Sequence, residues 1–447
     1  MQKHKINVQA LEKRFPARFP AYAPLPDKWK NGITGWHIKN PMGPGLYTMD
    51  VEHLPPQVRK RHNDPTSEQS VATKYNGTVC LHFCPTCFNR EDRVYAKTNP
   101  DGTKNRMLDL EGTMRIIDDA RAIAAAEGHS FESVKFLGPG ELLMNPELFR
   151  IIEEYRKRGI ILNIFTKGAL LGSDRLAVRF HGQNGIKNAR ELVSRLATYE
   201  NIGLIFSFQS FVQEIQDALV TRQNGGRIIG LRNYTDIRNY ALENLFNSGF
   251  YAADGTTQRL CLINAPVLPQ TIEDALDIYI FGLERGTPVI TTPTMVSGLG
   301  KCQVGKQTTD AWHKQLIELY AQIHLYNLRK GVQTIEQIKK EEISSYAGTE
   351  PCNQVALGLY LRANGIVQMC PGRFDSSTIY GNVFETPLAE IWEKSPNRQL
   401  GMNPQMRLNN HCPAKDAHTP GENNVRAFQF GFYEKVMERL RELLKNK

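Results

Sequence analysis

The sequence predicts an α/β protein: an open, partial (β/α)6 TIM-like barrel followed by a small C-terminal domain. Three observations carry this. Short apolar runs alternate with amphipathic stretches from Gly77 to Thr292, the pattern of a parallel sheet covered by helices. Six such units are present, too few for a closed eight-stranded barrel. Beyond them the composition changes, and Asn364-Gly365 separates two apolar runs, which marks a hairpin.

The first 75 residues contain nine prolines and little periodicity, so 1–75 reads as an extended arm with short helical pieces. The barrel is expected over 76–300. Its strands are GTVCLHF (77–83), SVKFLG (133–138), IILNIFT (160–166), IGLIFSF (202–208), RLCLIN (259–264) and TPVITT (287–292). Helices are expected over Asp109–Ala126, near Pro146–Arg158, over Lys187–Thr198, twice between Gln209 and Asn247, and near Thr271–Arg285. A connector (301–347) carries a long helix over Asp310–Lys330. A hairpin domain (348–420) and a C-terminal helix (421–447) complete the chain. The chemistry of such a sheet belongs at the C-terminal ends of its strands.

No apolar run approaches the roughly 18 residues needed to span a bilayer, and the N-terminus has no continuous apolar segment of the secretory kind. A cytoplasmic protein without a membrane partner is expected. The net charge of +9 suits anionic partners such as nucleic acid, an acidic peptide or an acidic electron donor, or else a solvated basic surface. The basic residues are scattered, and no appended RNA-binding motif is present, which argues against nucleic acid.

The eight cysteines say more. A large cytosolic chain keeps its thiols reduced, and three of them fall within Cys80-Leu81-His82-Phe83-Cys84-Pro85-Thr86-Cys87. Thiolates clustered this way read first as metal ligands. Three on one tight loop hold three irons of a [4Fe–4S] cube and leave the fourth iron open to a small molecule. A structural zinc site that includes His82, or three bystander thiols, are the alternatives.

This spacing, after the first expected strand, resembles the radical S-adenosylmethionine (SAM) superfamily. The resemblance implies a [4Fe–4S] cluster on Cys80, Cys84 and Cys87 and SAM as a second cofactor. It departs from the family at Thr86, where an aromatic residue is frequent. Phe83 and Phe88 flank the motif instead, and Phe83 is placed in the cofactor-binding set with Phe88 as the alternative ring.

Further matches follow at later strand ends. Gly138-Pro139-Gly140-Glu141 is similar to the family's GGE motif, and implies that Glu141 with the Gly138 and Gly140 backbone accepts hydrogen bonds from the SAM ammonium. A plain turn before a helix is the alternative there. Thr166-Lys167-Gly168 resembles the family's T-N-G segment, with Lys167 either toward the SAM carboxylate or solvated. Ser207 and Gln209 resemble the ribose- and carboxylate-contacting segment, and Asn264 stands where strand 5 of the family contacts SAM.

Cys352 and Cys370 frame a C-x12-Gly365-x4-C segment, followed by Tyr380–Trp392 and then Cys412. This resembles the SPASM/Twitch extension of radical SAM enzymes, and implies a second [4Fe–4S] cluster on Cys352, Cys370 and Cys412. The later cysteines of a full SPASM domain are missing, so a Twitch-like form is expected. Its fourth ligand would be Cys302, His411, Asp416, His418 or substrate. A zinc-stabilised or metal-free hairpin is the alternative. Cys302, on a glycine-rich loop after the sixth strand, is a catalytic candidate as a hydrogen-atom donor, or else an inert loop thiol.

The resemblance implies an enzyme that cleaves SAM reductively, using an external donor of flavodoxin or ferredoxin type. It points first to modification of a ribosomally made peptide, with a separate peptide-recognition subunit as a partner. Dehydration, dehydrogenation or epimerisation of a small molecule such as an aminoglycoside or sugar is the alternative. An iron–sulfur scaffold or electron-transfer protein is the non-enzyme reading.

Overall fold

A computed structural model describes residues 9–15, 45–63, 79–89, 106–224, 226–251, 259–295, 297–300, 310–341, 343–348, 354–372, 376–402, 414 and 431–445. Its strands are β1 (Thr48–Val51), β2 (Ser133–Phe136), β3 (Ile161–Thr166), β4 (Ile202–Ser207), β5 (Thr221–Asn224), β6 (Arg227–Gly230), β7 (Leu260–Val267), β8 (Val289–Pro293), β9 (Gly358–Leu361), β10 (Ile366–Gln368) and β11 (Ile379–Asn382). Six of them, β1-β2-β3-β4-β7-β8, lie side by side and parallel. This is the expected open barrel.

Helices follow these strands as the periodicity predicts. Leu110–Ala126 starts on an Asp109 cap, whose carboxylate accepts the Gly112 N–H at 2.7 Å. Ala189–Ala197 starts on Asn188, which accepts the Glu191 N–H at 2.8 Å. Such caps satisfy donors that have no partner within the helix. Leu148–Lys157, Ile272–Leu283 and Asp310–Lys330 also form as expected. Among the described residues no helix is long and apolar enough to cross a membrane.

Two expectations need correction. The first strand is not GTVCLHF: residues 79–83 form no strand, and β1 lies upstream, within the segment read as an arm. A four-residue strand near prolines carries little periodic signal, whereas the Cys80 segment is apolar yet irregular. The stretch between β4 and β7 holds helices Gln213–Ala218 and Tyr234–Phe246, but also the antiparallel hairpin β5–β6. The C-terminal hairpin extends the barrel sheet. β9 pairs in parallel with β1, and β10 and β11 follow antiparallel, giving one nine-stranded sheet among the described residues.

Buried polar groups fasten this seam. Glu52 accepts the Tyr360 hydroxyl and, at 3.0 Å, the Ala363 N–H. Lys135 is fully buried; it donates to Gln354 at 2.5 Å and lies 3.8 Å from Asp50. A buried ammonium without such partners would be strongly destabilising. On the outer side, Glu127 accepts from Trp392 Nε1 at 3.0 Å and from Arg398 at 3.1 Å. At the other edge, residues 343–348 lie against β8: Ala347 N–H donates to Thr291 O at 2.9 Å, and Thr292 Oγ1 to Ser345 O at 2.8 Å. Tyr346 packs inside the barrel with Phe165, Ile205, Cys261 and Ile290. Burial pushes the Cys261 thiol pKa well up, so this lone cysteine is a core side chain.

Candidate active site

A cavity of about 190 Å³ opens at the C-terminal ends of the barrel strands. Cys80, Cys84 and Cys87 line one side of it, and Gly138, Gly140, Glu141, Thr166, Lys167, Ser207 and Gln209 line the rest. Ten of the expected site residues, from four separate parts of the chain, therefore face one space.

The cysteine loop is held through its backbone. Val79 O accepts the Glu141 N–H at 2.9 Å, and Phe83 N–H donates to Val220 O at 2.9 Å. Asn89 Nδ2 donates to Leu137 O at 2.9 Å. Leu299 N–H reaches Cys87 O at 3.0 Å, and Ser297 Oγ reaches Phe88 O at 3.2 Å. These contacts explain the glycines. Gly140 has φ +87°, and a Cβ there would lie 2.3 Å from Val79 O. One at Gly138 would lie 2.0 Å from Asn89 Nδ2. Glycine alone lets the two loops approach so closely. Gly140→Ala is expected to cost about 1–3 kcal/mol of stability and to lower the iron retained by the cysteine loop. Denaturant midpoint and iron content measure both, and parental values for both would refute this packing argument.

Glu141 anchors the polar half. Its carboxylate accepts the Thr166 hydroxyl at 2.6 Å and the Lys167 N–H at 2.9 Å. Burial raises its pKa, opposed by these two hydrogen bonds and by the Lys167 charge. Lys167 Nζ donates to Ser207 Oγ at 3.1 Å. An anionic group and a cationic group thus stand side by side on the cavity wall, matched to a zwitterionic ligand.

Gln209 is more committed than its position suggests. Its amide donates to Ala265 O at 2.9 Å and accepts from Gln216 Nε2 at 3.0 Å, which leaves one N–H and one lone pair. Asn264 is fully buried and does not line the cavity, although its neighbours Ile263 and Ala265 do. Alternation along the strand turns Asn264 to the other face, a correction to the sequence reading. Phe83 is likewise replaced: Phe88 lines the cavity and Phe83 does not.

His82 carried little signal in the sequence beyond a possible zinc role. It lines the cavity, its ring stacks edge-on against Tyr234, and burial lowers its pKa to about 3. Neither ring nitrogen has a hydrogen-bond partner, and Nε2 lies 3.8 Å from Glu141 Oε1. Tyr234 in turn donates to Lys167 O at 2.8 Å. Met295 also lines the cavity and had no sequence signal at all.

The cysteine side fits an iron–sulfur cluster. Burial pushes the Cys84 thiol pKa up to about 11, opposed by the Lys167 charge and reinforced by Cys87 and Glu141, and burial raises Cys80 further. Neighbouring anionic groups in a dry site call for a cationic metal centre, which deprotonates thiols that coordinate it. Among the described residues no three His, Cys, Asp or Glu side chains gather around one point as a single ion requires. A cube asks something different, since each thiolate takes its own iron.

The second cysteine group is only partly described. Cys370 is buried, with Met369, Ala414, Val355 and Tyr380 around it. Burial, and then the Cys370 charge, raise the Tyr380 pKa. Val355 and Ala414, from two other parts of the chain, pack at the Cys370 end of the hairpin. Its turn forms at Gly365 as expected, with φ +82°. Cys352, Cys412, Cys302, His411, Asp416 and His418 lie outside the described residues. A Cβ on Gly372 would lie 2.8 Å from Met295 Sδ. The Cys370 end therefore adjoins the cavity wall.

Residues 352–414 match the SPASM family, an iron–sulfur cluster-binding domain. No curated protein matches the sequence. Among solved structures, the chain is similar to native anSMEcpe with bound AdoMet, at a TM-score of 0.53 and 11% identity, covering 89% of this chain and 98% of that one. It is similar also to native anSMEcpe with bound AdoMet and Cp18Cys peptide, at a TM-score of 0.52 and 14% identity, covering 90% and 98%. At these identities the likeness is one of fold.

Proposed function

We propose that this chain, which combines the radical SAM fold with a SPASM iron–sulfur cluster-binding domain, is an enzyme that cleaves SAM reductively and acts on a peptide. The observation that carries the reading is the convergence of Cys80, Cys84 and Cys87 with Glu141, Lys167 and Ser207 on one cavity. When bound, a [4Fe–4S] cluster supplies one electron, which splits SAM into methionine and a 5′-deoxyadenosyl radical able to take a hydrogen atom from substrate.

The residues have distinct parts in this. Cys80, Cys84 and Cys87 would hold the cluster and leave one iron open to SAM. Glu141 would accept hydrogen bonds from the SAM ammonium, and Lys167, now on Ser207, would pair with the carboxylate. Phe165, Ile205 and Ile263 give the cavity an apolar floor, which keeps water from a reactive intermediate. A peptide substrate is favoured by the SPASM domain beside the cavity, by the net charge of +9, and by the peptide present with anSMEcpe. An electron carrier of flavodoxin or ferredoxin type supplies the electron.

Cys352, Cys370 and Cys412 are proposed to hold a second cluster, supported by the packing of Val355 and Ala414 on Cys370. Anaerobic reconstitution is expected to give about eight irons per chain, two cubes of four, and 5′-deoxyadenosine on addition of SAM and dithionite. Replacing Cys352, Cys370 and Cys412 by alanine should leave about four irons. Failure to form 5′-deoxyadenosine would overturn the enzymatic reading. An unchanged iron count, or zinc on the C-terminal cysteines, would remove the second cluster.

A further inference from the structure

The β5–β6 hairpin has no part in the cavity, yet it is built onto the cysteine loop. From Ala218 to Thr235 the sequence holds Arg222, Arg227 and Arg232 and no acidic residue. All three arginines are exposed, and among the described residues none of them makes an ion pair. Arg227 pairs with Asn224, two residues on from Arg222, so Arg222 and Arg227 stand on one face of the hairpin. Three exposed cations with no acidic residue among them form a basic patch, which steers an anionic partner.

Its placement says what docks. The foot of β5 is Val220, whose carbonyl accepts the N–H of Phe83, between Cys80 and Cys84. At a strand rise of about 3.3 Å per residue, Arg222 stands within roughly 7 Å of Val220 along the chain. The other foot leads to Tyr234, which stacks on His82 and donates to Lys167 O. Among the described residues, none from 221 to 232 lines the cavity. A substrate must enter the cavity; an electron donor need only reach the outer edge of the cluster.

Resting on the reading above, we infer that the β5–β6 hairpin is the docking surface for an acidic one-electron carrier protein. The carrier is oxidised by one electron and the cluster on Cys80, Cys84 and Cys87 is reduced by one; no bond is made or broken in the transfer. Arg222, Arg227 and Arg232 steer the acidic face of the carrier.

The test uses the reconstituted full chain and a variant carrying Arg222→Gln, Arg227→Gln and Arg232→Gln. Cluster reduction is followed by its absorbance after mixing with a prereduced acidic flavodoxin, and separately with dithionite, which needs no docking surface. At low salt the variant is expected to be reduced by flavodoxin at least about tenfold more slowly, and at an unchanged rate by dithionite. The parent's flavodoxin rate should fall with added salt and the variant's should be nearly insensitive. Equal flavodoxin rates in the two chains would overturn the docking site alone. So would an intact flavodoxin rate with weakened binding of an acidic peptide or nucleic acid, which would reassign the arginines. A parent chain that dithionite cannot reduce would overturn the functional reading, and the docking site with it.

Discussion

Replacing Cys80, Cys84 and Cys87 together by alanine is expected to reduce 5′-deoxyadenosine formation to background while the chain stays folded. The reasoning separates the two outcomes. The loop is held by backbone bonds, from Glu141 N–H to Val79 O and from Phe83 N–H to Val220 O, and the substitutions touch neither. The side chains removed are thiols whose ionisation is opposed by burial and by neighbouring anionic groups, so the metal-free fold loses little when they go. Their chemistry cannot be replaced, because without three thiolates no cube is held with one iron open. About four irons should remain, on the C-terminal cysteines. Chromatography of the quenched reaction, iron analysis and circular dichroism measure the three quantities. Persistent 5′-deoxyadenosine in a folded triple variant would remove this loop from the mechanism.

Glu141→Gln is expected to weaken SAM binding by about ten- to a hundredfold with the cysteine-loop iron retained. The substitution keeps the shape of the side chain but removes the charge that attracts an ammonium. A hydrogen bond to a charged group contributes about 1.5–3 kcal/mol, and each 1.4 kcal/mol is tenfold. With its oxygen on the Lys167 N–H and its N–H₂ on the Thr166 hydroxyl, which can accept, the amide keeps both contacts of the carboxylate, so the loss falls on the ligand. Equilibrium dialysis of SAM against the reconstituted variant reads the effect. SAM affinity equal to the parent's would show that Glu141 shapes the loop and does not contact the ligand.

The cavity was legible to different depths in different residues. Cys80, Cys84 and Cys87 could be found because three thiolates on one metal-binding loop must be close in sequence. Glu141, Lys167 and Ser207 could be found because each follows an apolar run, and strand ends are where an α/β sheet gathers its ligands. Asn264 was misplaced for a physical reason. β7 continues to Val267, with its register shifted between Asn264 and Val267, so a position near the end of the apolar run is still within the strand, on the opposite face from Ile263 and Ala265. Phe83 and Phe88 were equivalent in sequence, and only the tertiary structure, which brings Phe88 and not Phe83 to the cavity, separates them.

The sequence by itself determined the parallel α/β barrel, the two cysteine groups and the hairpin turn at Gly365, since these rest on spacing within a few residues. Tertiary structure decided what depends on partners far along the chain. Thr48–Val51 is the first strand because β2 and β9 flank it. Asp50 and Glu52, which look like surface residues in the sequence, are buried because Lys135, Tyr360 and Ala363 meet them across the seam. Met295 joins the cavity wall to the Cys370 end only because two segments more than seventy residues apart pack together. A local pattern records which conformation a segment prefers; the strand that becomes its neighbour, and the charge that makes its burial tolerable, are fixed only when distant segments compete for the same surface.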